Sequence, residues 1–312
     1  MTKRTMGKAT RVAYGETLVE LGRTHPGIIA MDADLSKSTQ SALFGNAYPD
    51  RFFNVGIAEA NMAGIAAGFA LSGYLPFVSS FAGFLINKSF DQMRVSIAYP
   101  GLNVKFAGSH GGISIGEDGP SQMAIEDLAL TLSLPGFTVV VPADEHAARK
   151  LVRQVAEDPH PAYIRLCRPP APVLYDPGTP ITLGKAHVVR EGSDVSIFAI
   201  GLLVAEALDA AEELQKEGIS AEVIDLHTLR PLDRDGILRS VKKTGRVVTA
   251  EEHLLTAGLS SEVGRILGEH YPVPVRNVGL QNTYAQSGAP MQLLEHYGLT
   301  CPAILEAARS LF

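Results

Sequence analysis

The chain has 312 residues, of which 46% are hydrophobic and 19% charged, and its formal net charge is −6. This length predicts two domains, because a domain usually holds roughly 100–200 residues. The negative charge argues against a surface for nucleic acid or for an anionic membrane. The two cysteines, Cys167 and Cys301, match no metal-ligand or disulfide spacing, which favours a reducing compartment.

Two stretches have some features of targeting or membrane segments, but neither fits that role. Residues 1–11 are basic but lack an apolar core, so we expect no secretory signal. Residues 58–86 carry no charge apart from Glu59, yet they include four glycines and Pro76. That pattern predicts a helix, a loop and a strand instead of a membrane span. We therefore expect a cytoplasmic protein.

Short apolar strands alternate with helices along the first half of the chain. Such alternation predicts an α/β fold in which a mostly parallel sheet is covered by helices on both faces. The predicted helices cover residues 8–24, a segment that begins near 58, and residues 84–98, 123–132 and 146–157. The predicted strands cover residues 27–32, 75–79, 102–107, 137–141 and 162–165, and a glycine-rich loop covers 108–122.

A proline-rich segment separates this half from a second unit of the same type. Residues 167–180 contain five prolines, which stiffen the chain and cannot donate to a sheet ladder. We predict a domain over 1–166, a linker over 167–182 and a domain over 183–312. In the second domain the predicted strands cover 195–200, 221–225, 247–250 and 273–278, and the helices cover 203–217, 233–242, 258–270 and two segments near the end. Because its loops hold few clustered polar residues, we expect a structural or assembly domain.

The helix that begins near residue 58 has two distinct faces. One face carries Met62, Ile65 and Phe69 at helical spacing, and another carries Ala60, Gly64 and Gly68. Glycine inside a helix costs roughly 1 kcal/mol relative to alanine, so this small-residue ridge predicts close approach of another backbone. Glu59 is the only acid on the helix, and an acid in the first turn can simply favour the helix dipole.

Polar residues follow several predicted strands, where ligands bind in open parallel sheets. They are Asp34 to Ser38, His110, Asp118 to Gln122, and Arg168. A single histidine in a glycine-rich loop is often only a hydrogen-bonded anchor, but glycines also let a backbone approach a ligand closely. No nucleotide phosphate loop or dinucleotide fingerprint is present, and the carboxylates show no spacing typical of a metal site.

Several motifs occur in the order found in one enzyme family. They are Val55-Gly-Ile-Ala-Glu-Ala-Asn-Met, Ser80-Phe-Ala-Gly-Phe, Phe90-Asp-Gln, Gly108-Ser-His-Gly-Gly and Gly116-Glu-Asp-Gly-Pro-Ser-Gln-Met-Ala-Ile-Glu-Asp. With these motifs the chain resembles the transketolases, which depend on thiamine diphosphate. The resemblance covers nearly the whole chain but only the second and third domains of the family. The form with Gln122 resembles the animal-type members.

The resemblance implies a role for the residues around Glu59. Glu59 would hydrogen-bond the aminopyrimidine ring of thiamine diphosphate and so promote loss of the proton from the thiazolium carbon. Phe84 would stack on that ring with Phe81 nearby, and Ile57 would belong to the apolar surroundings of Glu59. Without the resemblance, ordinary core packing is the alternative role for Phe84.

The resemblance also implies how the substrate is held. A two-carbon glycolaldehyde unit would pass from a ketose phosphate to an aldose phosphate. His110, a catalytic candidate, and Asp118 would bind the hydroxyl groups near the donor carbonyl, assisted by Gln122. Arg11, Ser38 and Arg168 would bind the substrate phosphate, for which the planar fork of arginine is suited.

One part of the family pattern is missing from this sequence. The family binds the diphosphate and its magnesium through Gly-Asp-Gly followed by an asparagine, and no such motif occurs here. The chain therefore resembles the second subunit of a split transketolase, with the magnesium ligands on an N-terminal partner subunit and an α2β2 assembly. The alternatives are a side-pathway ketose-phosphate transketolase, a deoxyxylulose-phosphate synthase-like enzyme, a 2-oxo-acid dehydrogenase beta subunit, or a non-catalytic assembly subunit.

Overall fold

Strands of three to eight residues alternate with helices throughout the computed structural model, which describes residues 4–312. In the first half, the helices are α1 (Thr10–Thr24), α2 (Ser36–Thr39), α3 (Ala42–Ala47), α4 (Glu59–Leu71), α5 (Ala82–Gln92), α6 (Asp127–Leu132) and α7 (Glu145–Glu157). The strands are β1 (Ile28–Asp32), β2 (Phe52–Asn54), β3 (Leu75–Phe81), β4 (Lys105–Ser109), β5 (Thr138–Val140) and β6 (Ala162–Arg165).

The second half repeats the same alternation. Its strands are β7 (His187–Arg190), β8 (Val195–Ala199), β9 (Ala221–Asp225), β10 (Thr228–Arg230), β11 (Val247–Leu254) and β12 (Val275–Leu280). Its helices are α8 (Leu203–Lys216), α9 (Arg234–Thr244), α10 (Leu259–His270), α11 (Pro290–His296) and α12 (Cys301–Arg309). The predicted α/β class, with two mostly parallel sheets flanked by helices, is confirmed.

The two sheets have seven and five strands. The first has the order β10-β5-β6-β4-β3-β1-β2, and all its pairs are parallel except β10 with β5. The second has the order β12-β11-β8-β9-β7, and only β7 is antiparallel. The central strands β1, β4, β8 and β9 are buried along their whole length, as expected for sheets covered on both faces.

Strand β10 crosses between the two units. It follows β9 of the second sheet directly, yet it pairs with β5 at the edge of the first sheet, with Thr228 opposite Val140. The sequence did not predict β10, β2 or β7. Each has only three or four residues, which is too short for an alternating pattern to show, and the place of β10 depends on a partner about 90 residues away.

Three predicted boundaries were wrong in ways that matter for the site. The helix predicted over 123–132 begins only at Asp127, because the carbonyl of Ala124 accepts a hydrogen bond from the amide of Gly112 at 2.8 Å. The helix predicted over 84–98 starts at Ala82 and changes to a π-helical turn over Met93–Ala98. The strand predicted over 247–250 continues to Leu254.

The two faces of α4 also differ from the prediction. Met62 is buried as expected, but Ile65 is 37% exposed, and the core face is completed by Ala63, Ala66 and Ala67. The predicted small-residue ridge is open, since a Cβ added at Gly64 or Gly68 would meet no atom within 4 Å. The surface that should receive another backbone is therefore present and uncovered in the chain by itself.

In the part of the chain that the structure describes, no helix combines the length and the apolar character that a membrane span requires.

Candidate active site

The candidate residues gather where β3 and β4 end and α4 begins. Strand β3 ends at Phe81 and runs directly into α5, which carries Phe84. Strand β4 ends at Ser109, so His110 is the first residue of the glycine-rich loop. Because β3 and β4 are parallel neighbours, with Phe81 opposite Ser109, their carboxyl ends bring these aromatic side chains together.

Glu59 lies at the first turn of α4 and is only 3% exposed. Its carboxylate accepts hydrogen bonds from Lys88 Nζ at 3.2 and 3.4 Å. The same Nζ atom lies 4.4 Å from the ring centroid of Phe84. Lys88, half-exposed on α5, therefore bridges the carboxylate of Glu59 and the face of Phe84.

His110 is held by stacking and by its backbone. Its ring lies 3.9 Å from the ring of Phe81, which in turn lies 5.8 Å from that of Phe84. Nδ1 is 2.8 Å from the hydroxyl of Ser109. The φ angle of His110 is +61°, in the left-handed region that few non-glycine residues adopt. Its side chain is thus fixed in one orientation, and it is only 3% exposed.

The surroundings of His110 keep its imidazole neutral. Burial, and to a smaller extent the positive charges of Arg11 and Arg168, lowers the pKa of His110 to about 3. A neutral imidazole offers one donor and one acceptor. With Nδ1 beside Ser109, Nε2 is the ring nitrogen left for other contacts, which suits a residue that binds hydroxyl groups.

Arg11, Ser38 and Arg168 come together beside this loop although they are distant in sequence. Nη1 of Arg11 donates to the carbonyl of Ser38 at 2.6 Å, and Nε donates to the carbonyl of Arg168 at 3.3 Å. Arg168 in turn donates to the carboxylate of Glu117 at 2.8 Å, and this hydrogen bond lowers the pKa of Glu117. The cluster has two guanidinium groups and one carboxylate, so its net charge is positive.

The segment that carries Ser38 is positioned by a residue that the sequence did not single out. Asp32, fully buried at the end of β1, accepts hydrogen bonds from the amide of Leu35 at 2.6 Å and from the hydroxyls of Thr39 and Ser41 at 2.7 and 2.8 Å. Three bonds to one carboxylate fix the turn that leads into α2. An acid at the end of a fully apolar strand is the signal that could have revealed this role.

Three other predicted residues are not enclosed in the chain by itself. Asp118 is exposed, and among the described residues no hydrogen bond joins it to another group. The side-chain amide of Gln122 makes a long contact, 3.5 Å, to the hydroxyl of Ser121. Ile57 is 76% exposed in the chain by itself, so its place in the apolar surroundings of Glu59 stays a prediction.

Two contact residues were missed altogether. Lys88 was not predicted, although its position four residues after Phe84 places it on the same face of α5. Ser109 was quoted within a motif but given no role. Within residues 4–312, no three histidine, cysteine, aspartate or glutamate side chains lie close enough to hold a metal ion.

The low pKa of His110 predicts that its ring stays neutral from about pH 5 to pH 8, the interval in which an ordinary histidine titrates. Because the unfolded chain binds this proton near pH 6.5 and the folded chain only near pH 3, the contribution of His110 to stability is complete above pH 6.5. It is lost as the pH falls from 6.5 towards 3. Histidine NMR titration checks this, with His110→Asn to assign the signal. Titration of that signal near pH 6.5 would contradict the described burial.

Comparisons with known proteins identify the family of the chain. The pyrimidine-binding domain model of transketolase matches residues 6–172, and the transketolase C-terminal domain model matches residues 184–304. The chain is 43% identical to the 6-deoxy-6-sulfo-D-fructose transketolase subunit of Clostridium sp. (strain MSTE9), covering 96% of this chain and 92% of that one. It is 41% identical to human transketolase over 97% of this chain, which spans only 49% of the human protein.

One solved structure is similar to this chain in both sequence and fold. It is a split-gene transketolase described as an inactive β4 tetramer, with a TM-score of 0.92, 47% identity and 98% coverage of both chains. The family is one of enzymes that depend on thiamine diphosphate and a divalent metal. The chain therefore belongs to the transketolase family. It corresponds to the C-terminal part of a transketolase and resembles the second subunit of a split enzyme.

Proposed function

We propose that this chain is the pyrimidine-binding subunit of a split transketolase that transfers a two-carbon glycolaldehyde unit from a ketose phosphate to an aldose phosphate. When bound, thiamine diphosphate supplies the electron sink for the bond broken next to the donor carbonyl. The residues of this chain hold one half of the cofactor and the substrate. The observation that carries the proposal is the buried carboxylate of Glu59, which Lys88 bridges to the face of Phe84.

The residues around Glu59 fit an aminopyrimidine ring. Lys88 Nζ satisfies two contacts at once, a hydrogen bond to Glu59 at 3.2 Å and a position 4.4 Å from the centroid of Phe84. An aminopyrimidine can satisfy the same two contacts, with a ring nitrogen that shares a proton with the carboxyl group and a ring face for the phenyl group. We propose that Glu59 and Phe84 hold the ring in this way and that Lys88 turns outward, since it is already 47% exposed.

His110 and the arginine cluster provide the substrate side. A neutral His110 can hydrogen-bond a donor hydroxyl without placing a charge beside the reacting carbon. Arg11 and Arg168 can bind the terminal oxyanion of the substrate, where a guanidinium offers two parallel donors. Glu117 is 61% exposed, so it can release Arg168 to the substrate at small cost, because water screens an exposed ion pair and leaves it weak.

The partner subunit follows from what this chain does not carry. The sequence has no Gly-Asp-Gly motif with a following asparagine, and the matching models are those of the pyrimidine-binding and C-terminal domains. We propose that an N-terminal subunit supplies the diphosphate site and the magnesium ligands, in an α2β2 assembly of the cytoplasm. The split-gene relative that forms a β4 tetramer is described as inactive, which supports the need for a second kind of subunit.

A second candidate function concerns the identity of the donor sugar. The relative with 43% identity is a subunit for 6-deoxy-6-sulfo-D-fructose, and another, from Phocaeicola vulgatus and 35% identical, is a subunit for apulose 4-phosphate. A sulfonate and a phosphate both present tetrahedral oxyanions to Arg11 and Arg168, but a phosphate carries about −1.5 to −2 charges at pH 7 and a sulfonate only one. Both donor types are therefore candidates for the same cluster.

The isolated chain is expected to be inactive. Titration calorimetry of thiamine diphosphate with magnesium should detect no tight binding to this chain alone, because most of the cofactor's charge has no partner here. Binding should appear after addition of a diphosphate-binding subunit from the same organism, together with turnover of xylulose 5-phosphate and ribose 5-phosphate. Tight cofactor binding and turnover by the isolated chain would refute the split-enzyme proposal.

Glu59→Gln should abolish most turnover in the reconstituted enzyme while leaving the fold intact. Glutamine keeps the shape of the side chain but cannot hold or share the proton. By analogy with a lost oxyanion-hole donor, kcat should fall about 10²–10³-fold, or about 2.7–4 kcal/mol. The matched control is Glu222→Gln, which changes an equally buried acid of the second sheet, 3% exposed. Near-wild-type turnover of Glu59→Gln would sink the assignment.

Arg168→Ala should weaken substrate binding more than it slows turnover. The oxyanion it contacts does not react, so the lost interaction is mostly uniform binding, which raises KM and leaves kcat nearly unchanged. The effect should be large for xylulose 5-phosphate and small for uncharged xylulose. Arg234→Ala is the control, because this exposed arginine pairs with its neighbour Asp235 and not with the arginine cluster. Equal losses for charged and uncharged donors would indicate a structural role for Arg168.

A further inference from the structure

The glycine-rich loop that begins at His110, residues 110–122 and here called the substrate loop, packs against the second domain. Glu252 lies near the end of strand β11, two residues before Leu254, and is 4% exposed. Its carboxylate accepts a hydrogen bond from the backbone amide of Ser114 at 2.5 Å. Ser114 is four residues after His110, and the contact joins it to a residue 138 positions further along the chain.

The fit between Glu252 and the loop is close at a second point. Gly112 has a φ angle of +84°, and a Cβ built there would lie 2.2 Å from Oε1 of Glu252. The carboxylate thus occupies the space that a side chain at this position would need. Gly112 is two residues after His110, and its amide donates to the carbonyl of Ala124 at 2.8 Å. The loop therefore rests directly on Glu252 where it turns.

The rest of the strand end keeps Glu252 in place. The amide of Leu254 donates to the carbonyl of Ile125 at 3.0 Å. Arg165 Nη2 donates to the carbonyls of Glu252 and Ala124, both at 2.9 Å. The end of β11 is therefore fixed to the segment that closes the loop, and Glu252 is held on both sides.

We propose that Glu252 is a positioning residue for catalysis, which holds the loop so that His110 stays stacked on Phe81 and directed at the substrate. The catalytic consequence rests on the proposed function, whereas the support of the loop does not. The proposal gives the second domain a part in the chemistry, in place of the purely structural or assembly role predicted from its sequence.

The reason for a carboxylate lies in the groups it meets. The loop presents a backbone N–H to a space from which water is excluded, and an unsatisfied buried donor is costly. A carboxylate only accepts hydrogen bonds. It therefore pairs with the amide of Ser114 without adding a buried N–H group of its own, as an amide side chain would. Its removal leaves the amide of Ser114 without its partner and leaves an empty space beneath Gly112, so the loop should become mobile while the sheets remain.

The first test uses hydrogen–deuterium exchange of the full chain and does not depend on any activity. In Glu252→Ala, peptides covering 110–122 should exchange at least roughly tenfold faster, since a lost opening free energy of about 1.4 kcal/mol corresponds to tenfold. Peptides from β8 and β9 should be unchanged. The matched control is Glu222→Ala, a buried acid of the same domain that bonds Ser240 and Lys243 instead of the loop.

The second test uses the reconstituted enzyme. Glu252→Ala should lower kcat by roughly tenfold to a hundredfold, the scale of a small displacement of a catalytic group. The affinity for thiamine diphosphate should stay unchanged, because Glu59 and Phe84 lie on other elements. Where the alanine variant does not fold, Glu252→Asp withdraws the carboxylate by one carbon–carbon bond and should change both measurements in the same direction.

Unchanged loop exchange in Glu252→Ala and Glu252→Asp would overturn the proposal, as would an equal loss of kcat in Glu222→Ala. If the wild-type reconstituted enzyme transfers no two-carbon unit, the proposed function fails. The exchange measurement then still decides whether Glu252 supports the loop.

Discussion

One buried ion pair, between Arg165 and Asp127, joins the parts of the chain that surround the site. Nε of Arg165 lies 2.8 Å from the Asp127 carboxylate, and the two side chains are 5% and 0% exposed. The same carboxylate accepts a hydrogen bond from Tyr163 at 2.5 Å. Loss of one partner leaves an uncompensated buried charge, which typically costs about 3–5 kcal/mol. The pair therefore ties the end of β6 to the start of α6 at the base of the substrate loop.

The opposite side of the site is open. Glu59 begins α4, and the outward face of that helix carries the uncovered Gly64 and Gly68 together with Leu71, which is 73% exposed. Ile57, just before the helix, is also exposed. An exposed apolar patch of this kind marks an interaction site. A helix that accepts the cost of two glycines is explained when another subunit approaches along them.

The sequence allowed the α/β class and most strands and helices to be predicted, because buried parallel strands are continuous apolar runs. The grouping of Arg11, Ser38 and Arg168 was also predicted, but it came from the family resemblance and not from composition or periodicity. Short strands such as β10 were missed because their position is decided by distant partners.

The support of the loop by Glu252 could not be predicted either. In the sequence, Glu252 is one of two adjacent acids at the end of a strand, and such acids usually face solvent. The start of α6 at Asp127, four residues later than predicted, has a similar cause. Helical propensity favours residues 123–126, but the backbone there is already engaged by the loop and by Arg165. Tertiary contacts between the two domains therefore override the local helical propensity of this segment.

A site divided between two polypeptides makes cofactor binding and subunit assembly depend on each other. This chain spans 49% of human transketolase, which is a single longer polypeptide, and domains joined in one polypeptide associate intramolecularly at a high effective concentration. A separate subunit must instead associate by mass action. In the proposed assembly, thiamine diphosphate contacts Glu59 and Phe84 on one subunit and the diphosphate site on the other. Linkage then requires that the cofactor strengthen subunit association by the same factor by which association strengthens cofactor binding. The open face of α4 is where that coupling would act, because Glu59 and the glycine ridge lie on the same rigid helix.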